Sequence, residues 1–143
     1  MADQIYFEDV EVGSEIPALV KEPDSLQLVH WAAGSSDFYQ IHYDAEFAKR
    51  NGLPGTIVHG ALKHAFLGEL LHEWVAPAGR IKRFACSYRG MDLPNQRLTQ
   101  KGKVTKKYQE GERNIVEVEI WVEDAEGKNT TPGSATVTLP SRA

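Results

Sequence analysis

The sequence has almost no cysteine, and that absence sets the first limit. Its one cysteine, Cys86, rules out an internal disulfide and fits a reducing compartment. Apolar runs are short, and none is long enough to span a bilayer. Excess positive charge is also missing. Lys and Arg total 16 against 20 Asp and Glu, a net charge of -4, so no global field favours nucleic acid. The start, MADQIYFEDVEVG, has neither a basic opening nor an apolar run and does not read as a signal peptide. A cytoplasmic protein is expected. The five histidines show no HExxH pattern and no His/Cys cluster, so no metal site is expected. Asn129-Thr130-Thr131 matches a glycosylation acceptor, but without a secretion signal it reads as a turn.

What remains suits one domain, residues 1–143, with 41% hydrophobic and 25% charged residues and no repeat or linker. Residues 5–12 alternate loosely, as a first strand or an extended leader. Residues 16–20 are extended, and Pro17 argues against a central strand position. A helix starts near Asp24, which can cap it, with Gln27 placed as in a capping box. Leu26, Val29, Ala32 and Ala33 give it one apolar face, and Gly34 is its expected stop. A second short helix follows His42, capped by Asp44 with Phe47 and Ala48 inward, and ends at Asn51-Gly52.

The longest helix is expected from Gly60 to Val75. Leu62, Phe66, Leu70 and Trp74 fall four apart, and Ala65, Leu67 and Leu71 widen the stripe, so most of its surface should be buried. Lys63, His64, Glu69, His72 and Glu73 are its strongly polar positions. Strands follow over 80–89, over 97–108 with a kink at Gly102, over 113–123 and over 133–139. The third is the clearest, with Val116, Val118, Ile120 and Val122 on one face. Turns at Glu110-Gly111 and Glu126-Gly127 join the last three strands as an antiparallel meander. The fold class is therefore α+β, a sheet wrapped around one long apolar helix. One helix cannot cover a whole sheet, and the leftover edge suggests dimerisation.

Chemistry concentrates between Ala32 and Trp74. Asp37 and His42 have four residues between them, in a loop bridging two helices. A carboxylate and an imidazole held there can work as acid and base near neutral pH. Ser35 and Ser36 lack the strand–turn–helix context of a nucleophile elbow, so the pair suits moving a proton and a water rather than acyl-enzyme chemistry. At the start of the long helix, free N–H groups favour developing negative charge, and Gly60 allows close approach of a carbonyl. His59 reads as a hydrogen-bonded residue at that helix start. His30, His64 and His72 read as surface or polar-face residues. Lys101, Lys103, Lys106 and Lys107 read as a solvated strand face, with attraction of coenzyme A phosphates as the functional alternative.

The motifs Ser36-Asp37-Phe38-Tyr39-Gln40-Ile41-His42, Gly52-Leu53-Pro54-Gly55 and Ile57-Val58-His59-Gly60, with the leader Phe7 to Gly13, resemble those of MaoC-like dehydratases, including R-specific enoyl-CoA hydratases. The resemblance implies a hot-dog fold and a dimer, formed with itself or with another hot-dog subunit. It implies addition of water to a 2-enoyl thioester, or its removal from a 3-hydroxyacyl thioester. Asp37 and His42 would be catalytic, and which of them is formally the base stays open. The backbone N–H of Gly60 would polarise the thioester carbonyl. No metal or other cofactor is implied, since coenzyme A or acyl carrier protein enters as part of the substrate. Neither nucleic acid nor membrane is an expected partner. Ser36 stands where the family has Gly, and Tyr39-Gln40 where it has Asn-Pro, so Tyr39 is expected to reshape the pocket. A partner-dependent subunit and a thioesterase on the same fold are the alternative readings.

Overall fold

The computed structural model describes residues 3–142. In chain order the elements are β1 (Leu19–Lys21), α1 (Ser25–Ser35), α2 (Ala45–Arg50), α3 (Gly60–Val75), β2 (Arg80–Cys86), β3 (Leu98–Glu110), β4 (Arg113–Glu123) and β5 (Asn129–Thr138). Single 3-10 turns at Phe7–Asp9 and Gln40–His42 complete them. The five strands form one antiparallel sheet in the order β1-β3-β4-β5-β2. Helix α3 packs on β2, β3, β4 and β5, so the sheet wraps the helix in the hot-dog arrangement that the sequence resemblance implies.

Period-two alternation in the strands and period-3.6 spacing in α3 meet in the core. Val116, Val118, Ile120 and Val122 of β4 are all at most 1% exposed, and Ala135, Val137 and Leu139 join them from β5 and the residue just past it. Leu67, Leu70, Leu71, Trp74 and Val75 press on that surface from α3. Each such side chain contributes about 1.5–3 kcal/mol relative to exposure. A second cluster of Leu28, Val58, Leu62 and Phe66, flanked by Trp31, seats α1 against the first half of α3.

Most expected elements stand, and the departures have physical reasons. Of the two forms expected for residues 5–12, the extended leader is the one present, interrupted by the 3-10 turn Phe7–Asp9 and tied down by the Phe7 N–H donating to the Pro140 carbonyl at 2.9 Å. Asp24 caps α1 by accepting from the Gln27 N–H at 2.7 Å, but the buried face is Leu28 and Ala32, with Leu26 60% and Val29 47% exposed. Leu28, Trp31, Ala32 and Ser35 make an equally regular stripe, and only the location of α3 chooses between the two. The helix runs past Gly34 to Ser35 and is closed by Ser36, which takes a left-handed conformation at φ 61°. Glycine adopts that geometry without strain, which accounts for the family's Gly at this position.

Gly102 makes no kink. A Cβ there would lie 2.7 Å from Ile16 Cδ1, so the glycine makes room for the leader to cross, and the register shift falls between Val104 and Lys106. Asn129 to Thr131 are not a turn but the start of β5, with Thr130 and Thr131 buried. The four strand lysines are only partly a solvated face. Lys101 pairs with Glu123 at 2.8 Å, while Lys107 donates to the Val10 carbonyl and covers the Phe7 ring. Strands β1 and β2 are the sheet edges. Pro17 precedes the short edge strand β1, as its chemistry requires, and β2 offers the longer free edge.

Gly133 is the tightest seam between β5 and β2. A Cβ there would run into the Ala85 carbonyl and lie 3.0 Å from the Cys86 Cβ, and neither neighbour can swing away. Gly133→Ala should lower stability by about 1–3 kcal/mol, measured by urea unfolding, with Gly34→Ala, which meets nothing within 4 Å, as the control.

Candidate active site

Local chain chemistry brings Asp37 and His42 together. α1 is closed by Ser36, the chain reverses, and the Tyr39 N–H reaches back toward Asp37 Oδ1 at 3.4 Å. Asp44 caps α2 by accepting from the Phe47 N–H at 2.9 Å, which anchors the far side of the loop. His42 Nε2 then lies 4.0 Å from Asp37 Oδ2. The carboxylate is 46% exposed and the imidazole 9%.

The tautomer of His42 follows from its other nitrogen. Nδ1 lies 2.8 Å from the Ile57 carbonyl oxygen, which can only accept. Nδ1 therefore carries the proton, and in the neutral ring Nε2 presents a lone pair toward Asp37. His59 stacks on the opposite face of His42, with centroids 3.7 Å apart and planes at 18°. Burial, and then repulsion from His42, push the His59 pKa below the ordinary 6.5, so it stays uncharged beside its neighbour. His59 is wholly buried and makes no side-chain cap, but its Nε2 lies 3.4 Å from the Asp37 carbonyl oxygen. It thus stands at the N-cap position of α3 with its ring directed to the Asp37 loop and not to the helix.

Asp37, His42 and His59 each offer a ligand atom within 4.8 Å of the others, a grouping that sequence spacing does not reveal. The donors fit a metal poorly. Imidazole lone pairs lie in the ring plane, and two stacked, nearly parallel planes do not meet within coordination distance.

His42 and Gly60 line one cleft of about 470 Å³, together with Lys63, Tyr88, Arg89 and Lys128. The N–H groups of Gly60 and Ala61 have no acceptor among the described residues, whereas Leu62 and Lys63 donate to the His59 carbonyl. The helix therefore opens onto the cleft with free donors. A Cβ on Gly60 would lie 2.6 Å from the Tyr88 ring, so the missing side chain makes room for Tyr88. Burial, and then the neighbouring Cys86, raise the Tyr88 pKa, which keeps its hydroxyl protonated. Tyr39 is placed differently from expectation. Its ring stands edge-on to His42 at 6.3 Å and to Phe47 at 6.1 Å, beside the histidine rather than in the lining of the cleft.

Two residues of the site do not follow from sequence pattern. Lys63 is not on a polar face: it is 2% exposed and donates to Asp92 Oδ2 at 2.7 Å and to the Gly90 carbonyl at 2.9 Å. Asp92 is 3% exposed and also accepts from Thr130 Oγ1 at 2.9 Å. A signal exists for the lysine, since Lys63, Phe66, Leu67 and Leu70 share one helical stripe. For Asp92, in a loop of Gly, Pro and Asn, there is none. His64 stacks on Phe84 at 4.3 Å, while His30 and His72 are exposed.

Comparison with known proteins agrees with this picture. A stretch of 70 residues is 44% identical to the fatty acid synthase beta subunit TOXC of Cochliobolus carbonum, covering 48% of this chain and 3% of that protein. Over 72 residues, 48% of this chain, it is 36% identical to a fatty acid synthase subunit beta of Aspergillus oryzae, of which it covers 4%. The chain thus spans only a few per cent of these relatives' length. Among solved structures, the (R)-hydratase from A. caviae involved in PHA biosynthesis superposes with a TM-score of 0.82 at 24% identity, over 93% of this chain and 99% of that one. The unliganded R-hydratase PhaJ1 from Pseudomonas aeruginosa gives 0.87 at 21% identity, over 97% and 88%. The ChsH1-ChsH2 complex from Mycobacterium tuberculosis gives 0.78 at 19%, over 90% and 98%. These structural likenesses are likenesses of fold. The family model described as MaoC like domain matches residues 9–128. Because that match runs through the Asp37–His42 loop, α3 and the first four strands, the chain belongs to the family of MaoC-like domains.

Proposed function

We propose that the protein adds water to a 2-enoyl thioester, or removes it from the 3-hydroxyacyl thioester, by acid–base catalysis at Asp37 and His42. The observation that carries this reading is the aim of His42 Nε2. Nε2 lies 4.0 Å from Asp37 Oδ2, and the His42 ring also lines the cleft that reaches the free N–H of Gly60, with Asp37 beside the histidine and outside the lining. A separation of 4.0 Å is too long for a direct hydrogen bond and suits a water at about 2.8 Å from each group. Such a water donates one proton to the carboxylate and one to the imidazole, and its oxygen lone pair is then free to attack the β-carbon. One proton passes by way of the pair to the α-carbon, and the hydroxyl stays on the β-carbon. Negative charge that develops on the thioester oxygen is met by the Gly60 N–H at the positive end of α3. Proton balance is complete without a metal or redox group.

The chemistry of the thioester carrier fits the mouth of the cleft. Arg89 and Lys128 line it from two separate segments, both exposed and neither in an ion pair among the described residues. Two free cations there suit the phosphate of a phosphopantetheine arm, which coenzyme A and acyl carrier protein share. The strand lysines are less suited to that task, since none of them lines the cleft. The exposed edge of β2 supports association with a second hot-dog subunit or with a second copy, and one of the structures of similar fold, ChsH1-ChsH2, is a complex of two named chains. No helix among the described residues is long and apolar enough to cross a membrane, and a cytoplasmic location remains our reading.

Three measurements test the proposal. Loss of enoyl-thioester absorbance on adding crotonyl-CoA should be seen with the wild type, without release of free thiol. Asp37→Asn and His42→Ala should each lower kcat/KM by about 10²–10⁴-fold with the fold intact, and full activity in both would refute the assignment. Free thiol release would instead indicate a thioesterase. Arg89→Ala should raise KM for crotonyl-CoA by about tenfold, the loss of one charge-assisted hydrogen bond, and leave KM for the N-acetylcysteamine thioester unchanged. Stability should also fall on acidification. The unfolded chain protonates His59 near pH 6.5, while the folded chain resists to lower pH, so the folded state loses ground as pH drops below about 6.5. His59→Gln should flatten that slope in urea melts run from pH 7.5 to 5.

A further inference from the structure

We propose that Asp92 and Lys63 form a clamp that aims the Gly60 N–H at the substrate carbonyl. They are positioning residues for a reaction in which neither touches the reacting atoms. The inference rests on the hydratase reading above and deepens it.

Asp92 grips the chain on both sides of Gly60. Its backbone carbonyl accepts the Val58 N–H at 2.8 Å, two residues before the glycine. Its carboxylate accepts from Lys63 Nζ at 2.7 Å, three residues after it. The first turn of α3 is therefore held at both ends by one residue of the opposite loop. That loop is itself fixed to the sheet: Thr130 Oγ1 donates to the same carboxylate oxygen, and the Arg89 and Gly90 N–H groups donate to the Thr130 carbonyl, each at 2.9 Å. Lys63 also holds the Gly90 carbonyl at 2.9 Å, which keeps the segment carrying Tyr88 against Gly60.

Stability alone does not explain such a pair. Both side chains are at most 2% exposed, and at that depth desolvation offsets most or all of the Coulomb gain. Apolar residues of similar volume would pack as well. What they would lack is direction. A hydrogen-bonded ion pair admits few geometries, whereas apolar contact admits many. Polarisation of a carbonyl depends on the placement of the donor to within a few tenths of an ångström. Helix α3 alone does not provide that, because its first turn has no side-chain cap and His59 accepts from it only through its backbone carbonyl. The clamp supplies the missing restraint at the one turn where an error would matter.

The test uses the absorbance of 2,4-hexadienoyl-CoA, whose band moves to longer wavelength when its carbonyl is polarised. The background is Asp37→Asn, so that the bound probe persists, and binding is followed by calorimetry. With Asp37→Asn alone the band should shift on saturation. Adding Lys63→Met and Asp92→Asn together, which removes both charges and leaves the Asp92 backbone contact, should cut the shift by half or more. In the otherwise wild-type chain the same two substitutions should lower kcat at least tenfold and change KM less than twofold, with a cooperative thermal melt retained. A full shift and an unchanged kcat in the folded double variant would overturn the clamp and leave the hydratase reading standing. Should that variant fail to fold, Thr130→Val, which removes the Thr130 Oγ1 donor from the Asp92 carboxylate and leaves the Lys63–Asp92 charge pair in place, carries the same measurements. Absence of any shift with Asp37→Asn at saturation would overturn the Gly60 assignment and the clamp with it.

Discussion

Everything in this protein depends on the burial of α3 in the curl of the sheet. The helix has one apolar stripe from Leu62 to Val75, and the sheet has one continuous inner face built from β4 and β5. Neither surface is stable in water without the other, so their union fixes the axis of the helix. Once that axis is set, the position of its N-terminus is set too. The free N–H of Gly60 then faces a cleft. The candidate chemistry is a consequence of where a hydrophobic helix happens to begin.

The polar half of the site is built by different means. α1 and α2 are short and weakly amphipathic, and their termini, not their faces, place the functional groups. Ser36 closes α1 in a left-handed conformation, Asp44 opens α2, and Asp37 and His42 stand between two capped ends. The two histidines then lean on one another, with His42 donating to Ile57 and His59 buried beneath it. Burial keeps the His59 ring uncharged, and the Ile57 carbonyl fixes the proton of His42 on Nδ1, which leaves the Nε2 lone pair of the neutral ring on the side of Asp37. Among the described residues, buried Lys and Asp side chains occur at Lys63 and Asp92, and there they pair with one another through Asp92 Oδ2.

Much of this architecture is legible in the amino-acid sequence. The strand faces, the bounds of α3, the caps Asp24 and Asp44, and the edge role of the segment after Pro17 all follow from short-range patterns that the final fold leaves intact. Where expectation and fold part, local pattern allows more than one answer. Two stripes of α1 are equally apolar, and α3 buries the one with Leu28. Gly102 carries the signature of a kink and instead admits Ile16. Residue type alone puts Lys63 on a polar surface, against its place in the apolar stripe, and a lysine is buried only when a partner waits for it.

Sequence by itself determined the secondary elements, the single long apolar helix, the antiparallel meander and the short loop that pairs Asp37 with His42. All depend on neighbours a few residues apart, whose effects are written in side-chain period and turn chemistry. Tertiary structure alone decided that His59 would stack on His42, that Tyr88 would lie on Gly60, and that Asp92 would hold Lys63 from a loop 29 residues away in the chain. Those contacts arise only after the sheet has closed on α3, because no local signal tells one loop which helix turn it will meet.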